Sequence, residues 1–246
     1  MSSSAPLPAL TTLDAVALTV GAAPSDAQAL GFTVFTTGDV PAELGLDRAA
    51  LERAGFTGKA GSSLVLPQAE GPELVAVGAG EEGELDAAAL RDLAATFARA
   101  AARHARIALI VSALGSADAA TAAGVLSEGT LLARYTYTAL KTEPKAIALE
   151  AATFSVPGAA DADAAVAAAV GAARVCARTA VIARDLANTP PSHLTATKMG
   201  EIAVELGERF GVSGVQTIRS AYAPLVEEGL VAVQMRPRRR WKVLRV

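Results

Sequence analysis

The chain is poor in the residues that most often carry chemistry. Its 246 residues include one cysteine, Cys176, two histidines, His104 and His193, and only 4% aromatics. A single cysteine excludes an intramolecular disulfide and gives no reason to expect an oxidising compartment. The two histidines lie far apart and outside any H-E-x-x-H pattern, so they do not advertise a zinc site. No G-x-S-x-G elbow and no P-loop occurs, which leaves covalent serine catalysis and nucleotide hydrolysis without support. The opening MSSSAPLPALTTLDAV lacks a basic stretch and a long apolar core, so it does not read as a signal peptide. No uninterrupted apolar run approaches the ~20 residues that span a bilayer. These absences predict a cytoplasmic chain with no membrane partner.

What the chain lacks in rings it has in alanine. Hydrophobic residues make up 52% of it, ample for a packed core, and stretches such as AVAAAVGAA predict helices that meet through small side chains. The formal charge is −3, but RPRRRWKVLR near the end holds six Lys and Arg and no acid, so residues 1–235 carry −3 − 6 = −9. An acidic body gives no electrostatic reason to expect nucleic-acid binding outside that tail.

Short apolar runs alternate with alanine-rich helical patterns, the signature of an α/β chain. The candidate strands are AVALTV (15–20), FTVFTT (32–37), SSLVLPQ (62–68), LVAVGAG (74–80), RIALIVSAL (106–114) and AIALEAATF (146–154). Helices are expected over 86–105, where Leu90, Leu93 and Phe97 fall at helical spacing, and over most of 117–142. Crossovers of that length favour parallel pairing, with mixed pairing among the earlier strands. A long helix is expected from Asp161 to about Ala187, roughly 40 Å at ~1.5 Å per residue. Ala169, Ala173, Cys176, Ala180, Ala183 and Ala187 are expected on its small-residue face, beside an apolar face of Val175, Ile182 and Leu186.

That helix runs into Asn188-Thr189-Pro190-Pro191 and stops. Proline lacks a backbone N–H and denies helical geometry to the residue before it, so the pair makes a rigid elbow. Thr195 is placed to cap the next helix, with Ala196 as its first residue and its end near Phe210. A strand GVQTI (214–218), a short helix YAPLVEEG (222–229) and a strand LVAV (230–233) follow.

Each remaining feature has a plain structural reading. Gly78-Ala79-Gly80-Glu81-Glu82-Gly83 fits G-x-G-x-x-G, but two glutamates stand where a pyrophosphate would approach and no acidic residue follows to hold a ribose. A strand-to-helix turn explains it. His104 is expected to meet a helix dipole, His193 to help fix the elbow, and Cys176 to be a buried, inert thiol. The basic tail reads either as a patch for phosphates or, preferred for its abrupt change of composition, as translation out of frame or a premature end.

At the elbow the sequence resembles a known family. ARDLANTPPSHL (183–194) is similar to the (V/A)RDLxNTPPxxL segment of the leucyl, or cytosol, aminopeptidases. Weaker agreement runs both ways: LVAVGAG with LRDLAATFARAA, AAGVLSEGTLLARYTYTALKT against EGxLLGxYxFxxYK, and MGEIAVELGERFGVSGVQTI downstream. Together these cover most of residues 73–233.

The resemblance implies a two-domain α/β protein. Residues 1–155 would form an N-terminal domain with a macro-domain-like mixed sheet and flanking helices. Residues 156–188 would be the connecting helix, 189–234 the start of an incomplete catalytic domain, and 235–246 an aberrant basic tail. The family's enzymes are hexamers that release N-terminal leucine and other apolar residues from peptides with two divalent metals, zinc or manganese. Its metal-binding motifs, GKGxTFDTGG and NTDAEGRL, do not occur in this sequence. No residue here is therefore assigned a catalytic, cofactor-binding or metal-binding role, and no cofactor is expected on this chain. It is expected to be inactive alone, with homo-oligomers or full-length homologue subunits as partners. A non-catalytic oligomerisation or binding module is the alternative. Residues 1 to about 187 are expected to be the stable unit.

Overall fold

The structure, a computed structural model, describes residues 7–143 and 145–211. The expected elements at 214–218, 222–229 and 230–233 and the basic tail lie outside the described residues. The chain divides into two compact units, Met1–Asn188 and Thr189–Val246.

All six expected strands form, and they make one sheet: β1 (Ala17–Val20), β2 (Ala29–Phe35), β3 (Ser63–Leu66), β4 (Glu73–Gly80), β5 (Arg106–Ile110) and β6 (Ala151–Ser155). The order is β1-β6-β5-β2-β4-β3, and every pair is parallel except β3 with β4. The parallel centre follows from its long helical crossovers, and the antiparallel edge from the short β3–β4 connection. The fold is thus α/β with a mixed sheet and flanking helices.

Six helices are described: α1 (Pro8–Asp14), α2 (Arg48–Arg53), α3 (Ala87–Ala100), α4 (Ala119–Ala133), α5 (Asp163–Asn188) and α6 (Ala196–Phe210). Asp47, Asp86 and Asp118 each accept a backbone N–H at the starts of α2, α3 and α4. These carboxylates satisfy orphan donors and complement the helix dipole. They also place a negative charge where an anion would otherwise bind.

Most of the core lies on one sheet face, where Leu90, Leu93, Ala94 and Phe97 of α3 meet Val75, Val77, Ile107 and Leu109. Phe97 packs over Gly31 of β2, where an added Cβ would come within 2.6 Å of the ring. On the other face Phe32, Val34 and Ala76 pack with Leu44, Leu51 and Phe56 from the segment around α2. The helices touch through small residues, as expected: Gly129 of α4 lies against the Arg91 carbonyl of α3, and Gly124 against Ala169 of α5.

The long helix shows which side faces inward, and it differs from the expected one. Val166, Ala173, Ala177, Val181 and Asp185 are buried, whereas Cys176 is exposed and Val175 is 57% exposed. An alanine-rich helix has small residues all round, so size alone does not select a face. By length and composition α5 is apolar enough to cross a membrane. Within the first unit it packs against α1 and α4. Arg174 donates to the carbonyls of Leu13 (3.1 Å) and Val16 (2.7 Å), and Arg178 pairs with Asp14 at 2.6 Å. Cations at the last turn of α1 satisfy its orphan carbonyls.

Within the second unit the elbow is a turn in which the N–H groups of His193 and Leu194 both donate to the Pro190 carbonyl, each at 2.9 Å. Thr195 then accepts from Lys198 N at 3.2 Å and caps α6.

Candidate functional site

A polar constellation around a buried carboxylate sits in the first unit, where the end of α5 meets the end of α4. Asp185 is completely buried. One carboxylate oxygen accepts from the Ala9 N–H and the other from the Tyr135 hydroxyl, both at 3.1 Å. Asn188 donates to the same hydroxyl at 3.0 Å. Arg184 donates to the Leu132 carbonyl at 2.9 Å and lays its guanidinium 5.4 Å from the centroid of the Tyr135 ring, a cation–π arrangement.

Burial pushes the Asp185 carboxyl above the usual carboxylate range, and the donors from Ala9 and Tyr135 oppose that push. Burial also raises the Tyr135 phenol; the bond from Asn188 opposes this, and the Asp185 charge reinforces it. The constellation therefore joins α1, α4 and α5 at one point. Beside it lies a cleft of about 200 Å³ lined by Leu13, Val16, Leu131, Tyr135, Leu149 and Val181. With its carboxylate sealed and its phenol bonded, the cluster is built to hold geometry rather than to move protons.

The other candidates resolve into local structure. Gly78 and Gly80 serve β4: the 58–62 loop crosses so close that a Cβ at Gly78 would strike the Lys59 carbonyl, and Gly80 has φ +78°. Gly80 N donates to Gly58 O, and Gly78 N to Ser62 O, each at 2.9 Å. The glycines accommodate protein backbone, not a phosphate. His104 does not end on a helix dipole. Its Nε2 lies 3.1 Å from the Glu73 carboxylate, which also pairs with Arg103. Burial lowers the His104 pKa, as do the charges of Arg103 and Arg134. His193 lies in the elbow turn, its Nδ1 3.1 Å from Ser192 Oγ. Cys176 is exposed, not buried as expected. Among the described residues no three His, Cys, Asp or Glu side chains converge, so this donor set does not fit the family's metals.

Tyr135, Asp185 and Asn188 were not singled out by sequence reasoning. One signal was available: Asp185 continues the buried spacing of Ala173, Ala177 and Val181 along α5, so a carboxylate falls on the inward face.

Known proteins resemble this chain in sequence and fold. Residues 45–144 match the cytosol aminopeptidase family, N-terminal domain. A probable cytosol aminopeptidase of Microcystis aeruginosa is 31% identical over 160 residues, 64% of this chain and 32% of that protein. One from Streptomyces griseus is 34% identical over 183 residues, 67% of this chain and 35% of that protein. The chain thus spans about a third of the length of the curated relatives it matches. Among solved structures, the bottromycin maturation enzyme BotP in complex with Mn is 26% identical with a TM-score of 0.59, covering 75% of this chain and 37% of that one. A tomato leucine aminopeptidase, 16% identical with a TM-score of 0.65 and covering 80% of this chain and 43% of that one, shares the fold.

The chain belongs to the cytosol aminopeptidase family, through that family's N-terminal domain. The ARDLAN and LLARYTY segments that carried the resemblance are the two strands of chain that meet at Asp185 and Tyr135.

Proposed function

We propose that these 246 residues form the non-catalytic N-terminal portion of a two-metal aminopeptidase, cytoplasmic like its namesakes. The parent enzyme would be a hydrolase that releases leucine and other apolar residues from peptide N-termini. It would use two divalent ions, zinc or manganese, in a domain that begins after the elbow and in a hexameric assembly. The chain alone does not cleave peptides.

The observation that carries this reading is the clamp of Arg184, Asp185 and Asn188 on Tyr135 and Leu132. It fixes the last turn of α5, the element from which the elbow departs, on a sheet unit whose described residues offer no metal centre. That restraint on the end of α5 is what a structural rather than a catalytic unit needs. The test is hydrolysis of a leucyl chromogenic amide by the pure 246-residue protein with added manganese or zinc. The rate should match a no-enzyme control, and turnover clearly above it would overturn the reading.

A second reading, a non-catalytic binding module for full-length subunits, is favoured by the outward face of α5, where Val175 and Cys176 are exposed. Copurification with a full-length homologue at micromolar concentration supports it, and the absence of any mixed oligomer counts against it.

A further inference from the structure

Next to the cleft beside Tyr135, and sharing Arg134, Thr136 and Ile147 with it, a second cleft of about 320 Å³ is lined by Arg103, Arg134, Lys145 and Thr136, with alanines and Ile147 completing its wall. No carboxylate lines it. The Arg134 guanidinium is held by three backbone carbonyls, those of Ala101 (2.9 Å), His104 (3.0 Å) and Ile147 (2.9 Å). Those bonds fix its plane without neutralising its charge, and they leave its Nε–H and one Nη1–H unused. Arg103 is offset by Glu73, while Lys145 makes no ion pair among the described residues.

The cleft is therefore a concave spot of net positive charge on a body that carries −9 over residues 1–235. His104, behind it, registers that field: after burial, the charges of Arg103 and Arg134 are what lower its pKa. A fixed planar guanidinium with single N–H donors to spare, an exposed ammonium and a hydroxyl are the donors that a compact oxyanion needs. The geometry points to a binding site for a phosphate dianion, free or as a small phosphate monoester, between Arg134 and Lys145. Nothing in this assignment depends on the peptidase reading.

Proton NMR titration of His104 in the full chain tests it, with millimolar inorganic phosphate against chloride at matched ionic strength and the His193 resonance as an internal reference for general effects of phosphate. Bound phosphate adds negative charge near the arginines that depress His104 and so raises its midpoint by roughly a few tenths of a pH unit, and the rise saturates with phosphate. Lys145→Glu is exposed and should leave the far-ultraviolet spectrum unchanged. It should raise the His104 midpoint by itself and abolish the phosphate dependence, while Lys145→Ala weakens it several-fold. Glycerol phosphate saturating at lower concentration assigns a phosphate monoester that uses the Ile147 wall, and equal concentrations assign free phosphate. A His104 midpoint that ignores phosphate, follows chloride equally, or responds as strongly in Lys145→Glu would overturn the assignment.

Discussion

Replacing Tyr135 by phenylalanine removes one oxygen and little else, so it isolates the clamp. In the native chain that oxygen donates to the Asp185 carboxylate and accepts from Asn188. Asn188 is exposed and can turn to water, so its loss costs little. Asp185 is completely buried, and its carboxylate loses a donor that water does not readily replace. A hydrogen bond to a charged group is worth ~1.5–3 kcal/mol, and about 2 kcal/mol is expected here. For a unit of this size that lowers Tm by about 4–8 °C.

The penalty has a pH signature. Burial already raises the Asp185 carboxyl, and losing the phenol raises it further because a bond to the charged form is removed. Once pH falls through that raised value the carboxyl is neutral, so the difference between wild type and Tyr135→Phe shrinks toward the acid side. Urea unfolding followed by circular dichroism at pH 7 and near pH 4 measures both effects. A penalty below about 0.5 kcal/mol at pH 7, or one that does not change with pH, would refute the clamp as the restraint on the end of α5.

Three further outcomes follow from the packing and the charges. Gly31→Ala drives a methyl into the Phe97 ring and the Leu109 side chain and should cost about 1–3 kcal/mol in the same urea assay, with Phe97→Leu recovering part of it. Cys176, exposed on α5, should react with a thiol reagent in the native protein to one equivalent, and a need for denaturant would restore the buried face. The His104 pKa is lowered in the folded state, so as pH falls the unfolded chain takes up this proton first. The stability from neutral His104 is therefore complete above the unfolded value near 6.5 and is lost as pH falls below it. His104→Gln should flatten the urea midpoint between pH 8 and 5 relative to wild type.

Much of the architecture was legible because it depends on local pattern. Every strand run sat between turn residues, and the crossover lengths fixed parallel pairing at the centre. The Thr195 cap and the Phe210 end of α6 followed from hydrogen-bonding chemistry within a few residues. The short helices α1 and α2 were missed because seven and six residues give too little periodicity to stand out. The inward face of α5 was misjudged for a different reason. Alanine contributes so little to a helical pattern that the choice of face fell to tertiary partners, Ala9, Asp14 and Tyr135, which lie at least 50 positions away in sequence. His104 finding Glu73 is likewise a contact across 31 positions that only the pairing of β2 with both β4 and β5 creates. The clamp was half visible. Its residues lie in the two segments that carried the family resemblance, but nothing in the sequence said that those segments touch.

The central claim is that residues 1–188 are a self-sufficient unit whose last helix is locked by Asp185 and Tyr135. Its most direct test is to express residues 1–188 alone and compare their urea unfolding, by circular dichroism at pH 7, with the transition of the same residues in the full chain followed by hydrogen exchange. The account predicts a single cooperative transition with stability within about 0.5 kcal/mol of that in the full chain. A fragment that unfolds without cooperativity, or loses several kcal/mol, would show that the lock on α5 depends on the chain beyond Asn188 and would contradict the account.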